Sequence, residues 1–326
     1  MTLYRDILSQ ALKSTWKNKY LWFFGLFAAF LGSAGEFELI IRGFSNDTYS
    51  LIPGFNGIVE SGLFTWQGLK GVGHLIQSDP MSLFLAVGVL LLVLSIGLFF
   101  LWLAICSQAA IVHSAARIRM NKKHNLKTSL SVGMAKFWLI FGMNALLRII
   151  MYVLFATLSL PLILLSTKLG EGSINFLYLV LFVLFVMLVV VLSFIIKYAI
   201  AFIVVKDFKF LLAIKQGWNL FIKNWLVSVE MAFVLFFINF LVGAGIILVF
   251  LIISIPFFFM AYIFAAFQLF FSFWLIILLA LIAYVVFIAL TGSFLSAFQI
   301  NAWIGLFMEL VSRGGVSKLV RVFSKE

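Results

Sequence analysis

Residues 231–308 run for 78 positions without a single Asp, Glu, Lys, Arg or His. A water-soluble domain has no place for such a stretch, because about 20 apolar residues already cross the roughly 30 Å hydrocarbon core of a bilayer. The run must hold at least two crossings. The rest of the chain agrees: of 326 residues, 65% are hydrophobic, 10% are charged and 40 are phenylalanine. Soluble globular domains carry about 25% charged residues. A soluble enzyme, a disordered chain and a disulfide scaffold are excluded, and the single cysteine, Cys106, has no second cysteine to pair with. The chain reads as an all-α integral membrane protein, with residues 1–326 forming one transmembrane domain.

Four further apolar segments have the length of a span: residues 20–35, 81–112, 137–167 and 174–205, with Arg148 inside the third and Lys197 inside the fourth. In the 78-residue run the strongest helix breaker is Pro256. The run is therefore expected to hold a fifth span, a non-crossing apolar segment at 256–273, and a sixth span. Gly32-Ser33-Ala34 after the first apolar segment resembles a signal-peptidase site, but the 19-residue charged leader is long for a signal peptide. A retained first helix is the expectation.

Lys and Arg accumulate on the cytoplasmic side of membrane proteins, so their distribution reports orientation. Arg5, Lys13, Lys17 and Lys19 precede the first span, and Arg117, Arg119, Lys122, Lys123, Lys127 and Lys136 lie between the second and third. Lys206, Lys209, Lys215 and Lys223 separate the fourth from the fifth, and Arg313, Lys318, Arg321 and Lys325 form the tail. These are 18 of the 23 basic residues, all on one side. The loop at 36–80 falls on the other side and carries Glu36, Glu38, Asp47, Glu60 and Asp79. Both termini are thus expected in the cytoplasm, which requires an even number of spans. Six fits.

Short motifs recur. Ala11-Leu12-Lys13-Ser14-Thr15-Trp16 returns as Ala213-Ile214-Lys215-Gln216-Gly217-Trp218, and Lys19-Tyr20-Leu21-Trp22-Phe23-Phe24-Gly25 as Lys136-Phe137-Trp138-Leu139-Ile140-Phe141-Gly142. Lys223-Asn224-Trp225-Leu226 echoes the second motif. The chain reads as three units of about 100 residues, each a basic amphipathic helix followed by a transmembrane hairpin. In the first helix Leu3, Ile7, Leu8, Ala11, Leu12 and Trp16 share a face. In the third, Phe208, Leu211, Leu212, Trp218, Phe221, Ile222 and Trp225 do, with Lys209, Gln216, Asn219 and Lys223 off that stripe. Such helices lie in the headgroup layer with lysines toward anionic lipid. The basic segments 113–136 and 206–224 are both expected there. Contacts with anionic headgroups are assigned to Lys13, Lys17, Lys19, Arg117, Arg119, Lys122, Lys123, Lys209 and Lys223. The net charge of +12 would suit nucleic acid in a soluble protein, but beside a span a basic cluster is an orientation signal and a lipid contact. No nucleic-acid partner is expected.

The run from Ala213 to Trp225, with Val204-Val205 ahead of it, and the opening Trp16-Lys17-Asn18-Lys19-Tyr20-Leu21-Trp22 resemble bacterial inner-membrane families with a cytoplasmic small-Trp-x-Leu helix leading into a span. These include the membrane region that precedes some glycerophosphodiester phosphodiesterases. The resemblance implies a multi-pass protein of the bacterial cytoplasmic membrane. It implies no catalytic residue, because only 17 residues follow Glu309.

Ionisable groups inside spans mark candidate chemistry, since each costs about 2.5 to 3.5 kcal/mol at a helix centre. Arg148 falls about 16 Å into a helix starting at Phe137, and Glu230 about 8 Å into the fifth span. An Arg148–Glu230 pair with Asn144 and Asn239 nearby is the candidate intramembrane polar site; a third span starting at Ile149 would leave Arg148 at the interface instead. Lys197 is expected to snorkel, and Gln268, Gln299 and Asn301 to hydrogen-bond between helices. The histidines His74, His113 and His124 show no metal-ligand spacing, and Gly68-Leu69-Lys70-Gly71-Val72-Gly73 lacks the order of a dinucleotide loop. His74 and Asp79 have no nucleophile beside them. No enzyme, cofactor or metal is expected. Two functions remain: a non-enzymatic membrane protein that binds lipid or a partner in envelope organisation, and a small-solute or lipid transporter built on Arg148 and Glu230.

Overall fold

The computed structural model describes residues 3–29, 31, 80–122, 125–165 and 171–313. All regular structure among them is helical: α1 (Leu3–Lys17), α2 (Tyr20–Ala28), α3 (Pro80–Arg119), α4 (Leu126–Ala135), α5 (Phe137–Leu165), α6 (Glu171–Lys206), α7 (Phe210–Lys223), α8 (Trp225–Ala266) and α9 (Phe270–Arg313). Five helices are long and apolar enough to cross a membrane, within α3, α5, α6, α8 and α9. The first expected span coincides with α2 as far as Ala28; residues 32–35 of it, residues 36–79 of the loop and the basic tail beyond Arg313 lie outside the described residues. So do Gly68–Gly73, His74, Asp79, Lys123 and His124.

Two compact units divide the chain, Ser33–Leu103 and the rest. Of the smaller, the structure describes the first part of α3, where the large apolar side chains from Phe84 to Phe100 are exposed. Within the larger unit burial is graded along the helices. In α6 it is nearly continuous over residues 193–204, and in α9 it is concentrated from Ser293 to Leu310. In α8 it ends at Leu235. Ser193, Ser228, Ser293 and Asn301 are buried at the same end. Beyond it the helices turn Leu, Ile, Val and Phe outward, which only a lipid environment accommodates.

The long uncharged run folds differently from expectation. α8 continues through Pro256, and the chain reverses at 267–269. Leu269 N–H donates to Phe264 O and Gln268 N–H to Ala265 O, with Gln268 at φ 59°. This is a Schellman closure with a left-handed residue at its hinge. A proline is tolerated because neighbouring groups in a membrane helix re-satisfy the freed carbonyl at lower cost than exposing a whole turn to lipid. α8 and α9 then pair as one antiparallel hairpin. Ser254 Oγ bonds Tyr284 Oη at 2.7 Å, and Gln299 Nε2 donates to Asn239 Oδ1, both pairs centred on Leu269. The apolar segment expected at 256–273 thus belongs to the arms and turn of this hairpin.

The interfacial helices pack on the protein. α7 lays Ala213, Gly217 and Phe221 against α6; a Cβ at Gly217 would come within 2.8 Å of Ile195 O. Leu211, Trp218, Ile222 and Trp225 form a separate exposed stripe, and Lys215, Asn219 and Lys223 a third. The apolar face read from sequence therefore splits, with Phe221 inward and Leu211, Trp218 and Ile222 outward. α1 behaves alike: Ile7, Ala11, Ser14 and Thr15 are buried, while Leu12 and Trp16 are exposed. The basic segment 113–136 comprises the end of α3, a turn, and α4, whose N-cap Asn125 forms a capping box with Thr128.

Candidate functional site: a basic groove beside the first helix

A groove of about 800 Å³ opens along the polar side of α1. Gln10, Lys13, Ser14, Lys17 and Asn18 form one wall, and Ile118, Asn121, Lys122, Asn125 and Thr128 the other. Among its described lining residues are three lysines and no carboxylate. Lys13 and Lys17 are exposed on successive turns of α1. The opposite wall exists because α3 ends in the same closure as α8: Lys122 N–H donates to Arg117 O, Asn121 N–H to Ile118 O, and Asn121 takes φ 52°. Asparagine adopts that conformation more readily than most residues.

Side chains of α9 and α3 help to hold α1 in place. Asn301 of α9, 1% exposed, donates from Nδ2 to Ser14 Oγ, to Thr15 Oγ1 at 3.3 Å and to Ala11 O at 3.5 Å. Arg119, expected at the headgroup surface, is a strut within the protein. Its guanidinium lies over Gly305, donates to Gln10 Oε1 at 2.9 Å and to Ile7 O at 3.2 Å, and feels the Glu309 carboxylate. Its Nε is buried with no hydrogen-bond partner among the described residues. Arginine suits this position because a planar fork reaches two acceptors at once.

The remaining residues singled out in the sequence are distributed as follows. Arg148 and Glu230 are not paired. Glu230 accepts a hydrogen bond from Tyr4, whereas Arg148 is exposed on α5. Asn144 Nδ2 donates to Gln108 Oε1 and to Ile140 O, each at 2.9 Å. Asn239 is occupied by Gln299, so the four residues of the expected polar site fall into separate contacts. Lys197 sits over the Trp303 ring, 5.3 Å from its centroid. Arg117 Nε donates to His113 Nε2 at 3.4 Å. Lys19, Lys209 and Lys223 are exposed. Lys136 forms an ion pair with Asp207, tying the start of α5 to the end of α6.

Gln108, Tyr4 and Thr15 escaped the sequence reading. Each is an ordinary polar residue whose partner lies on another helix, so no spacing announces it. Asn121, Asn125 and Thr128 carried a local signal, an asparagine after a helix and a capping box before the next.

Long apolar helices with unburied sides, joined at one end to a polar and basic layer, define a multi-pass α-helical membrane protein. No family model, curated protein or solved structure matches the chain.

Proposed function

We propose that this is a non-enzymatic protein of the bacterial cytoplasmic membrane, both termini in the cytoplasm, that binds anionic lipid headgroups at its basic end and serves envelope organisation. The observation that carries this reading is the three-sided construction of α7. One side is docked on α6, one exposes Leu211, Trp218 and Ile222, with Trp225 exposed at the start of α8, and the side between presents Lys215 and Lys223. A helix fixed to the protein yet keeping large apolar and cationic stripes side by side is matched to the boundary between acyl chains and headgroups. The motif resemblance supports the assignment to a bacterial membrane. A transporter would be expected to gather polar groups near the membrane midplane; here Asn144 and Asn239 bond to Gln108 and Gln299.

The test is the lipid retained by the protein in mild detergent. Anionic phospholipid should be enriched over its share of the source membrane, and Lys215→Gln with Lys223→Gln should lower the enrichment. Retained lipid of the same composition as the source membrane, in both proteins, would sink the reading.

A further inference from the structure

We infer that the groove beside α1 is a selective site for a phosphate-bearing anion, with Lys13, Lys17 and Lys122 holding the phosphate and the amides holding the group attached to it. The inference deepens the lipid-binding reading and rests on it. Lysine acts as a compact point charge with three rotatable donors, and is a common phosphate ligand in that role. Three such charges line one groove, with no carboxylate among its described lining residues. Lys13 and Lys17 make no ion pair or hydrogen bond within the described protein. They are therefore available to an incoming anion.

The size and lining of the groove narrow the ligand class. A volume of about 800 Å³ exceeds what a bare phosphate fills and lies within the range of small-molecule sites. Beyond the lysines the described lining includes Asn121, Gln10, whose Oε1 accepts from Arg119, and Asn18, whose Nδ2 donates to Ser14 O. The Asn121 amide and Gln10 Nε2 suit hydroxyl groups, as on glycerol or a sugar. Acyl chains have a separate place: Leu12 and Trp16, on the same helix as the lysines, are exposed. α1 thus sets an apolar surface beside the cationic groove, the order in which a phospholipid presents its tails and its phosphate. The groove is also rigidly held. One wall is fixed by Asn301 and Arg119, and the other is set by the helix closure at Asn121 and the cap at Asn125.

The same chemistry is found on a lipid phosphate and on a free phosphate ester, and the experiment separates them. Full-length protein in mild detergent is titrated with phosphatidic acid and, separately, with glycerol 3-phosphate, bound ligand being counted by native mass spectrometry. Each surface lysine is worth about fivefold in binding, so Lys13→Gln, Lys17→Gln and Lys122→Gln together should weaken the bound species about 100-fold. The corresponding Lys→Arg triple should retain binding, which separates lost charge from lost structure. Phosphatidic acid bound and glycerol 3-phosphate ignored supports a lipid headgroup site. The reverse, with the same lysine dependence, supports a soluble phosphate ester. Binding of either that is unchanged in the glutamine triple, or no binding of either, overturns the inference. Should lipid retention then still respond to Lys215→Gln and Lys223→Gln, the interfacial reading survives and the groove alone is wrong; should it respond to neither set, both fall.

Discussion

Asn301 illustrates how much can depend on one amide in a chain with so few polar residues. It reaches three oxygens of α1, and through them fixes the wall that carries Lys13 and Lys17. Asn301→Leu keeps the branching of the side chain and removes the donors, leaving buried Ser14 and Thr15 to find other partners. A loss of about 1 to 3 kcal/mol follows from leaving buried polar groups unsatisfied, read as a lower midpoint of thermal unfolding in detergent. An unchanged midpoint would show that α1 is held by packing alone. Arg148 and Glu230 give the opposite expectation. The first is exposed and the second is bonded by Tyr4, so Arg148→Met and Glu230→Gln should act additively, within about 0.5 kcal/mol in a double-mutant cycle. A larger coupling would mean that the two meet in the membrane. The charges themselves were plain in the sequence. Their lateral positions were not, since depth follows from counting residues whereas facing depends on which side of α5 the neighbouring helices occupy.

At the scale of elements, three long helices end on a non-glycine residue with positive φ: α3 at Asn121, α6 at Asp207 and α8 at Gln268. Asn and Asp tolerate the left-handed region through short side chains that bond locally; glutamine has no such advantage. Gln268→Gly should therefore stabilise the α8–α9 turn by about 1 kcal/mol, seen as a higher unfolding temperature. A decrease would mean that the glutamine side chain itself secures the turn. The same residue explains why the hairpin was misplaced in the sequence reading. Pro256 is a conspicuous breaker in water, and nothing about Gln268 announces a helix end. The signal that was present is symmetry: the turn at 267–269 falls at the middle of the uncharged run 231–308. The existence and length of the other long helices were legible, because hydropathy requires no knowledge of partners. The split of α1 and α7 into docked, apolar and cationic stripes was not, since small residues such as Ala213 and Gly217 read as apolar whether they face lipid or another backbone.

For the molecule as a whole, the basic residues that flank the spans define a sidedness that can be measured. The proposed orientation places the turn at Asn121 in the cytoplasm and Asp47 outside. A reporter active only in the cytoplasm should function when inserted at Asn121 or fused after Glu326, and should be silent at Asp47. Activity at Asp47 would reverse that part of the topology. The groove is tied to this outcome, since it opens beside Asn121 and would then face the other leaflet.

The hairpin arms carry one more consequence. In α8 no residue after Leu235 is buried, so residues 236–266 form an apolar rod about 46 Å long. Tilted by 40°, the upper end of what membrane helices show, it still spans about 35 Å, more than the roughly 30 Å of an average hydrocarbon core. Hydrophobic mismatch of this sign favours a thicker bilayer. Reconstituted into phosphatidylcholines of increasing acyl length, the protein should unfold at progressively higher temperature until the slab matches the rod, and in thin bilayers it should crowd into clusters that share the deformation. A melting temperature indifferent to chain length would mean that the tip near Gln268 folds back along the membrane surface.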